Sequence, residues 1–490
     1  MFAQCFYHSL IQEVIMALSS KQNDIIELFN LESENVEDIS YLNDGTNTIV
    51  VISLRPGYPP CPDCGNQNVL IKGYELKRIN HSILTDRKCI LHYRARRYRC
   101  PICQRTFYEP NPFVFHSMKI SALTVQNVLN DLKSQTETFS SVAERYHISP
   151  TSAASIFDQH VQMPRLPLPE YMSIDENYAF FHKGENSKYI FVMLNFMTGD
   201  PIDILPSRRL DYLKNYYLKI PLEERKNVKM IATDMYAEYR TLIHDIFPDS
   251  IHSIDHFHLI QELSRKTDRI RVRVMKSVPK YITDSRGNKT KSLTPEYYLC
   301  KKFSWMIFKR SDALDKDKKP LFDVNRERVM NHKLHRMLNF YDIRNLIEAI
   351  HPDLKAAWQL KDDVVDFYDN NTADTAEQAL NELIRKFYRS GIPEMIEFGK
   401  TLRNWKQEII NSFIIVGYNH KVDKETGQVV ISEKKMNTNI SEMKNSMIKT
   451  LKKSANGFSN WARFRNRCLY VLRPDAKPVL NPIPPRKQIK

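Results

Sequence analysis

Two carboxylates in this chain stand where a strand that reads as buried runs out. In VKMIATDMYAEYR (228–240) the apolar residues Val228, Met230, Ile231 and Ala232 lead into Thr233-Asp234. In YMSIDENYAF (171–180) a shorter apolar approach ends at Asp175. Side by side in one sheet, such a pair repels unless a cation sits between them, and oxygen ligands suit Mg²⁺. Two Mg²⁺ ions bridged by carboxylates can activate a nucleophile and stabilise a leaving oxygen at phosphorus. Either aspartate alone reads better as a loop or helix cap, and it is the pair in this order that points to metal. A third carboxylate is available in SEMKNSMIKTLKKSANGFSNWARFRNR (441–467). Helical spacing there puts Glu442, Asn445, Lys449 and Lys452 on one polar face, with Met443, Met447, Ile448 and Leu451 on the packed side. The stripe offers a carboxylate for metal, then amide and ammonium groups for phosphates. Taken alone, Glu442 reads as a solvated surface residue. The helix is expected to end at Asn456-Gly457, a C-cap signal.

A second metal set is written in cysteine. Cys61-Pro62-Asp63-Cys64 and Cys100-Pro101-Ile102-Cys103 supply four thiolates, the tetrahedral set of one structural Zn²⁺. The text between them, KRINHSILTDRKCILHYRARRYRC (77–100), alternates apolar and basic residues and suits a hairpin with one basic face. Arg94, Arg96, Arg97, Arg99 and Arg105 crowd this module among Tyr93, Tyr98 and Phe107. The guanidinium fork suits phosphate, so the face reads as a DNA contact. Cys5, Cys89, Cys300 and Cys468 have no partner spacing.

Next to it, FSSVAERYHISPTSAASIFDQH (139–160) reads as two short helices around a tight turn. Ser149 is the N-cap and Pro150 the first residue of the second helix. This is helix-turn-helix spacing, with Ser149, Thr151 and Ser152 at the end that would face DNA. His147 stands where such turns often hold glycine. An ordinary helical hairpin is the competing reading.

The elements that must position the acids follow in the order strand (Asp175), strand, strand, helix, strand (Asp234). At 490 residues the chain exceeds one core, and 72 Lys+Arg against 57 Asp+Glu leave it at +15. That surplus points to a polyanionic partner. No apolar run is long enough to span a membrane. Eight cysteines in such a length are no disulfide framework, which fits a reducing cytoplasm.

Taken together, CPDCG, RRYRCPICQRTF, VAERYHIS, SIDENYAF, ATDMYAEY, SIDHFHLIQ and the closing 441–467 stretch resemble a DDE transposase of a bacterial insertion sequence, of the ISL-three family. The likeness runs from about residue 23 to 473. It implies an α/β, RNase H-like catalytic domain interrupted by a large all-helical insertion and preceded by a zinc ribbon and a helix-turn-helix. The implied divisions are an N-terminal segment (1–55), the ribbon (56–115) and the helix-turn-helix (116–165). The first part of the core (166–262), the insertion (263–435), the core's C-terminal helix (436–473) and a flexible basic tail (474–490) follow. The resemblance assigns Asp175, Asp234 and Glu442 as the Mg²⁺ triad. It matches Asp255 and His258 to the family's Asp-x-x-His, which with Asn445 would support the site. Thr438-Asn439 before the glutamate and Met443-Lys444-Asn445 after it differ from the family's usual text.

The implied partners are the terminal inverted repeats and target DNA, with a homodimer in the synaptic complex and no membrane. The implied location is the bacterial cytoplasm, at the nucleoid when DNA is bound. A DNA-binding regulator with an inactive body, and a structure-specific nuclease without strand transfer, are the alternatives. Met16-Ala17-Leu18-Ser19-Ser20 is expected to mark the natural start.

Overall fold

The computed structural model describes residues 20–31, 35–82, 87–115, 118–178, 188–422 and 428–480. The Met16 start, Cys5 and the tail beyond 480 lie outside them. The chain forms two compact units, one of residues 1–164 with 446–490 and one of residues 165–445.

The first unit is built on a five-stranded sheet. Its strands are β1 (Val36–Asn43), β2 (Asn47–Leu54), β3 (Leu70–Asn80), β4 (Lys88–Arg99) and β5 (Thr106–Tyr108), in the order β1-β2-β4-β3 with β5 on the end of β4. The N-terminal segment thus supplies β1 and β2 to the ribbon's own sheet, with β2 parallel to β4. Helix α1 (Ser20–Leu28) precedes the sheet, and Phe29, Val50, Ile52, Leu91 and Tyr93 fill its core.

Helices α2 (Ala122–Asp131), α3 (Phe139–Arg145) and α4 (Pro150–His160) follow. Thr138 caps α3 in a reciprocal capping box with Ser141, and Ser149 caps α4 through the Ser152 N–H. The turn between them puts His147 at φ +50°, in the left-handed region. A β-carbon there is strained, so His147→Gly is expected to stabilise the first unit by about 0.5–1 kcal/mol, read by denaturant unfolding.

The last helix, Trp461–Leu472, belongs to this unit, whereas 436–473 was expected to lie with the strands that carry the aspartates. Its Arg467 is buried and donates to the Ser134 and Glu137 carbonyls at the α2–α3 turn. Tyr470 Oη donates to the Leu129 carbonyl. The expected flexible tail is also docked as far as it is described. Val479 N donates to the His160 carbonyl at 2.7 Å, and Lys133 Nζ donates to the Pro474 carbonyl at 2.9 Å.

The second unit holds the sheet that carries the aspartates. Its strands are β6 (Tyr171–Asn177), β7 (Ile190–Asn195), β8 (Pro201–Leu205), β9 (Met230–Thr233) and β10 (Ile251–Ile254), in the order β10-β9-β6-β7-β8. β6, β7 and β8 are antiparallel neighbours, while β9 and β10 run parallel to β6. The expected order is therefore present, with helices α5 (Leu210–Tyr217) and α6 (Leu222–Lys226) between β8 and β9. Buried runs such as Ile190–Leu194 need cover on both faces. Helix α7 (Ala237–Ile246) contributes Tyr239, Leu242, Ile243 and Ile246 to that cover.

Helix α8 (His256–Ser277) opens a separate core with Trp358, Val364, Phe387 and Phe398. Residues 353–369 lie in one helix, Pro352–Asn370. Two further helices, Ala376–Arg389 and Pro393–Asn404, are parted at Gly391 with φ +69°. The region is mainly helical but not all-helical. Three two-stranded hairpins interrupt it, at Tyr281–Thr283/Lys289–Leu293, Val329–Asn331/Arg336–Leu338 and Ile415–Val422/Val429–Lys435. In the first, Asp284 accepts the N–H groups of Arg286 and Asn288, and Gly287 sits at φ +81°. That closes a turn no helix can absorb.

Candidate active site

The ribbon brings all four cysteines together. Their sulfurs lie within 4.8 Å of one another, with Cys61–Cys103 and Cys64–Cys100 both at 3.5 Å. Tetrahedral zinc with bonds of about 2.3 Å sets sulfurs about 3.8 Å apart, so the cluster needs only a small relaxation. The Cys103 backbone N–H favours the Cys100 thiolate and pulls that thiol down to about 6. The Cys64 N–H lowers Cys61 in the same way. Each knuckle thus supplies one ready ligand.

The basic face survives with one correction. Arg94, Arg97, Arg99 and Arg105 are exposed, and Arg94 lies 4.2 Å over the Tyr74 ring. Arg96 is buried, 2.6 Å from Glu37 and 3.6 Å from Glu109, so its charge is spent inside the unit and not on DNA. The alternation slips at Ala95-Arg96, both inward, near the irregularity at Ile71/Gly73 in the β3–β4 register. On α4, Ser149 and Ser152 are bonded to each other in the cap, and Thr151 is exposed.

In the second unit, β6 and β9 pair in parallel, Tyr171 with Met230, Met172 with Ile231 and Ser173 with Ala232. Carried two residues further, that register sets Asp175 level with Asp234. Burial pushes the Asp175 carboxyl up to about 6. Asp234 is also raised to about 6, first by burial and then by the charge of Glu176, with Asp175 adding to it. Asp234 Oδ1 is buried with no hydrogen-bond partner, and so is His258 Nε2 on α8. His258 stabilises the ionised form of both aspartates electrostatically. The set therefore fits a hard divalent cation: ionisable oxygens, one of them unpartnered, in a desolvated place.

The helix Asn439–Ser454 is laid along β6 by polar contacts. Ser441 Oγ and Ser173 Oγ meet at 2.7 Å, Asn445 Nδ2 donates to Asp175 Oδ2 at 2.7 Å, and Asn177 Nδ2 donates to the Asn445 carbonyl at 2.9 Å. The packed side is therefore Ser441, Asn445, Ile448 and Leu451, whereas Met443 is exposed. An amide with a buried carboxylate to bind goes inward in place of the thioether. Glu442 stands on the first turn and is exposed. Among the described residues, only the cysteines form a group of three or more ligand atoms within 4.8 Å. The two aspartates are thus set level by the strand register, and Glu442 does not close on them within 4.8 Å. Further along the same helix, Lys449 is exposed and Lys452 partly buried. The helix gives way to Asn456 and Gly457, both at positive φ, as expected.

Asp255 is fully buried and acts as a clamp. It caps α8 through Phe257 N at 3.0 Å and accepts Thr438 N at 3.0 Å together with the Thr438 hydroxyl. The sequence reading missed Glu176, which is bonded to Arg208 and to Tyr239 Oη at 3.1 Å. Its only sequence signal is its place directly after Asp175.

Residues 172–421 match a family profile described as "Transposase", of the ISL3 DDE group. The chain belongs to this family. Residues 58–103 of this family member match the zinc-finger of transposase IS204/IS1001/IS1096/IS1165, so it carries a zinc ribbon, and the four-cysteine cluster supports structural zinc. It is 21% identical over 409 residues to the transposase for insertion sequence element IS1001 of Bordetella parapertussis, across 82% of this chain and 86% of the relative. No helix among its described residues is long and apolar enough to cross a membrane.

Cys61→Ser or Cys100→Ser in this family member is expected to release its zinc and weaken DNA binding while the second unit stays folded. Elemental analysis and circular dichroism read the two effects. Wild-type protein without zinc would refute the assignment.

Proposed function

We propose that this transposase binds the terminal inverted repeats of its element, cuts at their ends and joins the freed 3′-hydroxyl to target DNA. The parallel register of β6 and β9, which sets two high-pKa aspartates level, Asp175 buried and Asp234 half-buried, carries this reading. Three antiparallel strands, then two parallel to the first, with acids at the ends of adjacent strands, support an RNase H-like core. Asp175, Asp234 and Glu442 would hold Mg²⁺. The bound metal supplies an activated water or 3′-hydroxyl and a stabilised leaving oxygen at phosphorus.

The chain's own residues do the rest. Asn445 fixes the Asp175 carboxylate, and Asp255 holds the start of the Glu442 helix through Thr438. Glu442 reaches the pair by rotating inward from the helix surface. His258, with its free Nε2, contacts the phosphate. Exposed Arg94, Arg97, Arg99 and Arg105 and the α3–α4 helix-turn-helix hold the repeat. The protein acts in the cytoplasm at the nucleoid, as a dimer when two ends are synapsed.

The test is incubation with Mg²⁺ and duplexes that carry the element's flanking inverted repeats, with the ends mapped. The reading expects a 3′-hydroxyl at the repeat boundary and joined products. Binding without cutting would assign a regulator, and cutting without joining a nuclease.

A further inference from the structure

The strand end that delivers Asp234 is tied to the helical region by a path of hydrogen bonds. Thr233 is fully buried. Its hydroxyl donates to the Asp234 carbonyl at 2.8 Å, and His252 Nε2 on β10 lies 2.8 Å from that hydroxyl. A hydroxyl has one proton and a carbonyl brings none, so the Thr233 proton goes to Asp234 and His252 must donate from Nε2. Nδ1 is then a bare acceptor, which accounts for its being buried without a partner, 3.8 Å from Glu408 Oε1. Burial and the charge of Arg240 pull the His252 pKa down to about 4, so the ring stays neutral. Residues at the helix Lys406–Asn411 hold that ring in place. Asn411 Nδ2 donates to the His252 carbonyl at 2.7 Å, and the Trp405 ring meets the imidazole edge-on at 6.2 Å. Glu408 is buried and accepts from Arg240 Nε at 2.6 Å.

We propose that His252 is a positioning residue for Asp234, acting through Thr233. The inference rests on the proposed reading of Asp234 as a metal ligand. The Asp234 carbonyl accepts twice, from the Thr233 hydroxyl and from Tyr236 N at 2.9 Å, and these bonds set the turn that aims its side chain. Asp234 Oδ1 has no partner of its own, so the backbone is what holds that oxygen ready. The Nε2–H at the Thr233 oxygen occupies one lone pair and leaves the hydroxyl proton directed at the carbonyl. Without it the hydroxyl is free to rotate, and the turn loses one of its two bonds. Asn411 stands 159 residues beyond His252, so the helical region takes part in setting the acid site. Groups that orient a metal ligand from behind cost about 10–100-fold when lost.

The experiment follows the Tyr236 amide by hydrogen exchange in the metal-free full chain without DNA, beside end cleavage in Mg²⁺. His252→Leu removes the donor at similar volume, and Thr233→Val removes the hydroxyl and keeps the shape. Both should exchange this amide about tenfold faster or more, and cut about tenfold more slowly or worse, with repeat binding unchanged. The double variant should be little worse than either single, because the two residues act along one path. His252→Gln, whose amide N–H takes the place of Nε2–H, should restore both readings. Thr233→Val decides the matter should His252→Leu melt early. Wild-type exchange or wild-type cutting in the Leu and Val variants overturns the proposal, and so does a Gln variant as impaired as the Leu variant. A wild type that does not cut, with the expected exchange pattern across the variants, overturns the metal reading instead and leaves the positioning of the turn standing.

Discussion

Asp234→Asn will leave the protein folded and lower end cleavage in Mg²⁺ by about 10³-fold or more, as expected when one of several groups that act as a unit is lost. The amide keeps the shape and a neutral oxygen but removes the charge a cation needs. Repeat binding should survive, since the proposed function places it in the first unit. Asp175→Asn and Glu442→Gln should behave alike, with double variants little worse than singles.

The stability change should run the other way. In metal-free protein the Asp234 carboxyl is raised to about 6, above its ordinary value of 3.8. A raised acid costs nothing while both states are protonated, and it destabilises the fold as pH rises from about 4 through 6. Above that window Asp234→Asn should melt at or above wild type, and Mg²⁺ should stabilise wild type but not the variant. Thermal melting at pH 5 and pH 8, with and without Mg²⁺, reads both signs. Early melting with normal cutting would mean that Asp234 is a cap and the metal reading is wrong.

Asp255→Ala is expected to do the reverse. Asp255 is fully buried, and its carboxylate satisfies Phe257 N, Thr438 N and the Thr438 hydroxyl. Truncation leaves those donors unpaired and uncaps α8, a loss of about 3–5 kcal/mol. Cleavage should fall as well, because the Glu442 helix loses its anchor. Asp255→Asn keeps part of the acceptor set and should recover part of the stability. Denaturant unfolding beside end cleavage separates this positioning role from that of Asp234. If Asp255→Ala unfolds at the wild-type midpoint, the clamp is not one.

These two aspartates also mark how far sequence reasoning reaches. Asp234 was legible because an apolar run ending in a carboxylate is a local pattern. Asp255 has an equally local signal, a helix N-cap before His256-Phe257-His258, yet its second partner, Thr438, lies 183 residues away. Asn445 was legible only as part of a polar stripe. That it faces inward depends on a bond to Asp175, and no periodicity reports such a pairing. Arg96 misled because a period-two reading assumes an unbroken strand, and the slip at Ala95-Arg96 turns a basic residue into the core. The hairpin at 281–293 was missed although Asp284 and Gly287 are ordinary turn residues. Nearby helical text outweighed them.

The bond between Asn445 and Asp175 spans 270 residues. During synthesis the first two acids leave the ribosome long before the helix that anchors one of them and presents the third. At about 5–20 residues per second the wait is roughly 10–40 s. Through that interval the nascent chain lacks Asn445 and Glu442, so on the proposed function a stalled or truncated product is expected not to cut. On the proposed function, completion of the polypeptide would then act as the licence for chemistry on DNA.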